Sequence, residues 1–263
     1  MSDAARIEAR RQGAIGWLVF DNPARRNAVS LGMWESISRV LDEFGSDPSV
    51  RVVILAGAGD KAFVSGADIS QFESQRSGPQ AVQKYEEIAE HAQQRLQLFD
   101  KPTVAMIRGY CLGAGVNIAN VCDLRIAAED ARFGIPAARM GLGYRVSSTH
   151  NLVQVVGAAS AREMLLTARQ FSAAEARAMG LVHHVVGVSE LESFTQQICQ
   201  NIAGNAPLTM RTAKRIIREL VRLPKDFDAA QARAWVQECF DSADYVEGRK
   251  AFMEKRKPLF TGK

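Results

Sequence analysis

Two glycine-containing segments are the parts of the chain best suited to hold a reactive group. The first runs from Lys61 to Ile69 (KAFVSGADI) and the second from Gly109 to Asn117 (GYCLGAGVN). Small residues let a ligand approach the backbone, and the second segment runs into a predicted helix whose first N–H groups lack intrahelical acceptors. Gly113-Ala114-Gly115 has neither the GxGxxG spacing of a dinucleotide loop nor the lysine of a P-loop, so those two sites are not expected.

Each segment follows a short apolar run that predicts a buried strand. Val52–Leu55 precedes the first segment and Val104–Ile107 precedes the second. Such unbroken apolar runs are typical of parallel strands that are covered on both faces. A helical stretch of about residues 80–98 joins them, as in a right-handed strand–helix–strand crossover, and a further strand is predicted near Leu124. Because ligands bind outside the carboxyl ends of parallel strands, both glycine segments lie at the predicted site.

The remaining elements complete a mixed α/β chain with a helical end. Ile7–Ala9 and Ile15–Phe20 predict a hairpin, and Ser30 is a plausible N-cap for the helix after it. Ser172-x-x-Glu175 and Ser189-x-x-Glu192 have the spacing of capping boxes, so each predicts the start of a helix. Further helices are predicted over residues 208–221, 228–240 and 245–255.

Composition narrows the class of protein. The 263 residues are 47% hydrophobic and 24% charged, which excludes disordered, collagen-like and disulfide-scaffold proteins. No apolar run approaches the ~20 residues that span a bilayer, and the N-terminus lacks the apolar core of a signal peptide. The four cysteines show no CxxC pair, so we expect buried, reduced thiols in a cytoplasmic protein. The net charge of +4 does not decide whether the ligand is a phosphate-bearing small molecule or a nucleic acid.

Four motifs together resemble the enoyl-CoA hydratase/isomerase (crotonase) superfamily. They are the two glycine segments, Asn22–Ala28 upstream and Phe252–Pro258 near the end, in the family's order. The resemblance implies a crotonase-like spiral of ββα turns over residues 1–200 and a helical oligomerisation region over 201–263. It also implies a homotrimer or a hexamer built as a dimer of trimers, with an acyl-CoA thioester as ligand. Coenzyme A then belongs to the substrate, and no separate cofactor, metal, membrane or nucleic-acid partner is expected.

The resemblance also assigns roles to individual residues. Ala67 and Ala114 match the two backbone N–H donors of the family's oxyanion hole, which holds the thioester oxygen as an enolate forms. The positions that match the family's coenzyme A motifs are Arg25 or Arg26, Ala28, Ser65, Ala67, Asp68, Ile69, Ser70 and Lys255 or Lys257. From the residues alone, Arg25 and Arg26 also fit a solvated turn.

At two positions the chain differs from typical hydratases of this family, which puts the usual hydration of an enoyl-CoA in doubt. Typical hydratases place one glutamate at the position of Asn117 and another at that of Ala137, after Phe133-Gly-Ile-Pro136. Neither an amide nor a methyl group can act as the general base that hydration needs. Tyr144, followed by His150-Asn-Leu152, resembles methylmalonyl-CoA decarboxylases of the same superfamily, and the chain end is similar to theirs. Those enzymes can carry a histidine where this chain has Ala67, so the likeness is partial.

Three functions therefore stay open. The first is an enoyl-CoA hydratase-like lyase that stabilises a thioester enolate, and the second is a malonyl-type acyl-CoA decarboxylase that uses Tyr144. The third is a non-catalytic relative that binds coenzyme A or RNA. For RNA, the sequence offers only residues 211–222 with five cations, which also fit a solvated helix face.

Overall fold

The computed structural model describes residues 5–68, 79–222 and 229–261. The chain divides into two compact units, one of Met1–Phe133 with Ser172–Leu220 and the other of Gly134–Phe171 with Val221–Lys263. The expected division into a core of residues 1–200 and an oligomerisation region of 201–263 stays a prediction.

Ten strands and nine helices are assigned within the described ranges. The strands are β1 Arg6–Gln12, β2 Ile15–Asp21, β3 Val52–Gly57, β4 Ala62–Val64, β5 Thr103–Ile107, β6 Tyr110–Leu112, β7 Leu124–Ala128, β8 Arg132–Gly134, β9 Phe171–Ser172 and β10 His184–Val186. The helices are α1 Leu31–Ser46, α2 Pro79–Gln97, α3 Ala114–Val121, α4 Val146–Thr167, α5 Ala173–Ala178, α6 Leu191–Gly204, α7 Pro207–Leu220, α8 Ala229–Asp241 and α9 Ala243–Met253.

The strands form two sheets. The larger has the order β1-β2-β3-β5-β7-β10, with the predicted antiparallel hairpin at one edge and parallel pairing across the rest. The smaller has the order β4-β6-β8-β9, and its β4 and β6 are parallel. The predicted apolar strands and the α2 crossover are confirmed. Strands β4 and β6 lie within the two glycine segments, and the glycines Gly66 and Gly113 follow their carboxyl ends.

A hydrophobic core lies between the larger sheet and α6. Alternate side chains of three neighbouring strands pack with Leu191 and Cys199 of α6. They include Trp17 of β2, Ile54 of β3 and Val104 of β5. Side chains two residues apart on a strand share a face, which explains why this layer is apolar throughout. Full burial of one such side chain stabilises the fold by about 1.5–3 kcal/mol.

Of the three predicted N-caps, two are confirmed and one is wrong. Ser30 caps α1, because its hydroxyl accepts from the Met33 N–H. Ser172 caps α5 as predicted, because its hydroxyl accepts from the Glu175 N–H and Glu175 accepts from the Ser172 N–H. The second predicted capping box is wrong: the N-cap of α6 is Glu190, without a side-chain cap bond. A turn in which the Glu190 N–H donates to Gly187 O moves the helix start by one residue, and Glu192 instead accepts from Gln196.

The cysteines follow the expectation at three of four positions. Cys111, Cys122 and Cys199 are buried free thiols, whereas Cys239 on α8 is exposed, which corrects that part of the prediction. Burial raises the pKa of the Cys122 and Cys199 thiols to about 12. These two side chains are therefore neutral packing groups and not activated nucleophiles.

Candidate active site

The two glycine segments come together at the ends of β4 and β6. A Cβ added to Gly113 would lie 3.9 Å from the Cα of Gly66, so the two backbones are neighbours. Glycine is required at Gly115, where a Cβ would overlap the Val64 carbonyl oxygen. Gly113 has φ of 51° and ψ of −109°, a conformation that disfavours side chains. The sequence prediction that these segments share one site is consistent with this placement.

The peptide of Ala67 is oriented by a short parallel bridge with Val29. Val29 N–H donates to Gly66 O, and Asp68 N–H donates to Val29 O, both over 2.9 Å. Successive backbone groups of an extended chain point to opposite sides, so the Ala67 N–H points away from Val29. Among the described residues, no acceptor is assigned to this N–H.

Ala114 supplies a second N–H of the same kind. It is the first residue of α3, and Gly113 before it gives no side-chain cap. The first N–H groups of a helix have no intrahelical acceptor and carry the positive end of the helix dipole. Because Ala67 and Ala114 belong to the two adjoining segments, the chain brings two backbone donors to one region. Such a pair can stabilise an oxygen that becomes negative.

Buried aromatic side chains connect the Ala67 peptide to two helices. The indole N–H of Trp34 on α1 donates to the Tyr85 hydroxyl on α2 over 2.7 Å. The Tyr85 hydroxyl donates to Val29 O over 2.8 Å, so that carbonyl accepts from both Tyr85 and Asp68. Trp34 and Tyr85 are buried, and their hydrogen bonds are therefore shielded from water. Sequence reasoning missed Tyr85, since one tyrosine on an amphipathic helix gives no local signal of this role.

The predicted coenzyme A residues of the first unit are held around the same segment. Arg25 Nη1 lies 3.3 Å from Asp68 Oδ1, where the carboxylate is buried and the guanidinium is half exposed. Ser65 contacts both arginines through the backbone, donating from its hydroxyl to Arg25 O and from its N–H to Arg26 O. The Arg26 guanidinium lies over the Tyr110 ring, 5.0 Å from its centroid. The Arg25 guanidinium thus contacts the residue that follows Ala67 and is still partly open to solvent, whereas the Arg26 guanidinium lies against the second segment.

Asn27 fixes the turn that carries these arginines. It has a left-handed φ of 58° and is fully buried. Its side chain accepts from the Asn22 N–H and donates to the carbonyls of Ala58 and Ala62. Ala28, another predicted site residue, is buried, and its carbonyl accepts from the Asn22 side chain. The left-handed Asn after Arg26 was not recognised from the sequence, although asparagine is enriched there.

Asn117 and Asn120 lie further along α3. Both are nearly buried, at 9% and 8% exposure. Asn117 stands where hydratases, by the family resemblance, carry a glutamate, and its amide does not titrate. Asn120 was not singled out from the sequence, although a polar residue within the apolar run Val116–Val121 was an available signal.

Two predicted residues of the second unit, Ala137 and Tyr144, lie in one tight loop. Ala137 is buried in the 3-10 turn Pro136–Met140, and Tyr144 follows it, half-buried. Gly143 fixes this loop against α8, since a Cβ there would lie 2.6 Å from Val236 O. Lys255 is exposed, with a left-handed φ of 54°. Ile69 and Ser70, also predicted to bind coenzyme A, lie outside the described residues.

Among the described side chains, no group of three or more His, Cys, Asp or Glu residues is arranged to hold a metal ion. Every helix within the described ranges is either too short or too polar to cross a bilayer.

Comparisons with known proteins agree with this architecture. Residues 10–263 match the family model of enoyl-CoA hydratase/isomerase. A short-chain-enoyl-CoA hydratase of Clostridium acetobutylicum is 34% identical over 247 residues, which cover 94% of each chain. A solved methylmalonyl-CoA decarboxylase in complex with 2-nitronate-propionyl-CoA gives a TM-score of 0.89 at 30% identity, covering 98% of each chain. An enoyl-CoA hydratase/carnithine racemase from Magnetospirillum magneticum gives 0.80 at 33%, covering 100% of this chain and 97% of that one.

The fold is thus a crotonase-like α/β fold with a helical C-terminal region. The chain belongs to the enoyl-CoA hydratase/isomerase family, whose members process acyl-CoA thioesters.

Proposed function

We propose that the protein is an acyl-CoA lyase that holds the thioester oxygen between the N–H groups of Ala67 and Ala114. The observation that carries this proposal is the pair of neighbouring backbone donors at the ends of β4 and β6, one of them at a helix N-terminus. Both are fixed by backbone structure, so they need no reorganisation when the oxygen becomes an enolate. A single fixed donor of this type contributes about 3–4 kcal/mol to lowering the barrier.

The coenzyme A part would be held on the side of the two arginines. Arg25 is half exposed and is anchored to Asp68, so it places a cation next to the Ala67 segment. Arg26 is held over Tyr110. Arginine suits this role because its planar donors match phosphate oxygens. Lys255 is proposed as a further cation for the same ligand, on the family resemblance alone.

Decarboxylation of a malonyl-type thioester is the reaction that suits these residues best. The bond between the α-carbon and the carboxylate breaks, carbon dioxide leaves, and the electron pair becomes the enolate at the two donors. The α-carbon then takes up a proton from Tyr144 or from water. Asn117 and Ala137 provide no carboxylate, and two anions beside a substrate carboxylate would oppose its binding. The higher TM-score to the decarboxylase than to the hydratase/racemase structure supports this choice.

Hydration of an enoyl-CoA is the second candidate. It is favoured by the sequence relatives, such as the hydratase that is 34% identical. Without glutamates at residues 117 and 137, water would have to be activated by another group or by the substrate itself. RNA binding by α7 has less support, because Lys214 is paired with Asp123 and Arg215 with Asp100.

Mass spectrometry of two thioesters separates these reactions. The protein is incubated with methylmalonyl-CoA and with crotonyl-CoA, and the products are followed with time. Loss of carbon dioxide from the first, reduced by Tyr144→Phe, is the result that we expect. If only crotonyl-CoA reacts, by gaining one water, the proposed reaction becomes hydration and not decarboxylation. If coenzyme A thioesters bind but neither is converted, the lyase proposal fails for these two substrates and a binding role gains support.

A further inference from the structure

Arg125 on β7 is a buried cation that donates to three carbonyl groups. Its side chain belongs to a residue that is only 6% exposed. The Nε atom donates to Leu181 O over 2.7 Å, and Nη1 donates to Ala119 O and Cys122 O over 3.2 and 2.7 Å. Arginine stays charged in proteins, so a full positive charge is held among these carbonyl groups.

Two of the three carbonyl groups belong to the C-terminal end of α3. Cys122 is the C-cap of this helix, and Ala119 lies in its last turn. The last carbonyl groups of a helix have no intrahelical partner and carry the negative end of the helix dipole, so a cation there stabilises the helix. Leu181 lies in the segment that leads into β10. Arg125 therefore ties the end of α3 both to β7 and to that segment.

The helix α3 depends on such contacts because it is short. It has eight residues, and Gly113 before it gives no side-chain cap bond. Helices of two turns are not stable by themselves, so tertiary contacts must hold them. Gly115 packs on the Val64 carbonyl at one end, and Arg125 binds the carbonyl groups at the other. These two contacts fix the direction of α3 and of the Ala114 N–H at its start.

We propose that Arg125 is a positioning residue for the acyl-CoA reaction, because it holds the helix whose first N–H, that of Ala114, meets the thioester oxygen. Arg125 contacts no part of the thioester and acts through α3. A donor lowers the barrier only if it is aimed before the negative charge develops, so loosening the far end of α3 weakens the stabilisation of the enolate. This inference rests on the proposed function, since it takes Ala114 to be one of the two donors.

Carbon-13 NMR of bound [1-13C]propionyl-CoA, with its dissociation constant, tests this role without turnover. Arg125→Lys keeps the charge but replaces the planar fork by one nitrogen, and Arg125→Gln keeps only a neutral donor. We expect the downfield shift of the bound carbonyl to be smaller in Arg125→Lys than in the wild-type protein, and smaller still in Arg125→Gln. The dissociation constant should change by less than about 2-fold, because the groups that bind coenzyme A are untouched.

Steady-state kinetics on the thioester that is converted gives a second readout. In Arg125→Gln, kcat should fall roughly 10-fold with little change in KM, as expected when a hydrogen bond from a charged group no longer positions the donor. In Arg125→Lys, the fall in kcat should be smaller, because the charge remains at the end of α3.

Arg51→Lys and Arg51→Gln are the matched controls. Arg51 Nη2 donates over 2.9 Å to the carbonyl of Asn205, the C-cap of α6. The same changes therefore loosen the end of a helix that carries none of the proposed site residues. Both control variants should keep the wild-type carbonyl shift and the wild-type kcat.

Thermal unfolding shows which variants are folded, and if Arg125→Gln is not, Arg125→Lys decides the question. The proposal is overturned if a folded Arg125 variant keeps both the carbonyl shift and the kcat of the wild-type protein. It is also overturned if the Arg51 variants lose as much as the Arg125 variants. A carbonyl resonance that does not move on binding to the wild-type protein refutes the proposed donors themselves, and this inference with them.

Discussion

At the scale of single residues, the contact between His183 and Arg125 makes the stability of the fold depend on pH. Its Nδ1 accepts from the Arg125 N–H over 3.1 Å, which requires an unprotonated nitrogen. Burial, and then the charge of Arg125, lower the pKa of this imidazole to about 4, from an ordinary value of 6.5. The unfolded chain therefore binds more protons than the folded chain between these values, and the contribution of His183 to stability is lost as the pH falls through that window.

Denaturant unfolding at a series of pH values tests this prediction. His183→Asn keeps an acceptor for the Arg125 N–H but removes the titration, so the loss of stability from about pH 6.5 toward pH 4 should become smaller. His184 is exposed, and His184→Asn is the matched control that should retain the wild-type slope. Equal slopes in all three proteins would show that His183 does not couple folding to protons.

Ala67 and Ala114 could be proposed from the sequence because their segments match the family's motifs, and their role as donors stays a prediction. Tyr85 could not, because its hydrogen bond to Val29 joins residues 56 positions apart in the sequence. Asn120 could not either, since nothing local shows that its buried amide has no hydrogen-bond partner among the described residues.

At the scale of elements, α1 and α2 together position the peptide of Ala67. Tyr85→Phe removes the hydroxyl that donates to Val29 O, so the bridge to Gly66 and Asp68 should loosen. One hydrogen bond is worth about 1 kcal/mol, and we therefore expect kcat to fall roughly 5-fold with little change in KM. Steady-state kinetics on the thioester that is converted gives both constants.

Trp34→Phe is the control for this prediction. It removes the indole donor from the same buried cluster but leaves the contact between Tyr85 and Val29 in place. Both variants should lower the Tm, whereas only Tyr85→Phe should lower kcat. An equal loss of kcat in both variants would indicate general loosening instead of a positioning role for Tyr85.

Sequence periodicity predicts which segments form strands and helices better than it predicts the residues at which they begin and end. Apolar runs and helical spacing are properties of whole segments, so the parallel strands and α2 were predicted within a few residues. The start of α6 was wrong because the turn at residues 187–190 competes with the cap, and spacing alone does not reveal that competition.

At the scale of the whole molecule, α7 presents an apolar face that the described residues leave exposed. Two of its cations form ion pairs, Lys214 with Asp123 and the half-exposed Arg215 with Asp100. Its apolar side chains are exposed, with Ile216 at 55% and Leu220 at 79%. Large exposed apolar patches mark interaction surfaces. We propose that a second copy of the chain covers this face, as the family resemblance to trimers and hexamers implies.

Light scattering after size-exclusion chromatography tests that assembly. The wild-type protein should elute as a trimer or hexamer, and Ile216→Glu with Leu220→Glu should shift it toward monomer, because charges would have to be buried at the interface. Leu166→Glu places the same charge at another exposed leucine, at 77% exposure, and should leave the assembly unchanged. A wild-type monomer would contradict the proposal.

Carbon-13 NMR of bound [1-13C]propionyl-CoA tests, without assuming a reaction, whether Ala67 and Ala114 polarise a thioester carbonyl. Ala67→Pro removes one N–H while leaving Gly66 O and Asp68 N, the groups that bridge to Val29, in place. Ala67→Gly is its control, because it retains the N–H.

We expect the carbonyl resonance to move downfield on binding to the wild-type protein and to Ala67→Gly. Most of this shift should disappear in Ala67→Pro, although propionyl-CoA still binds. If the resonance bound to the wild-type protein stays at the position of the free thioester, the two N–H groups do not polarise the carbonyl.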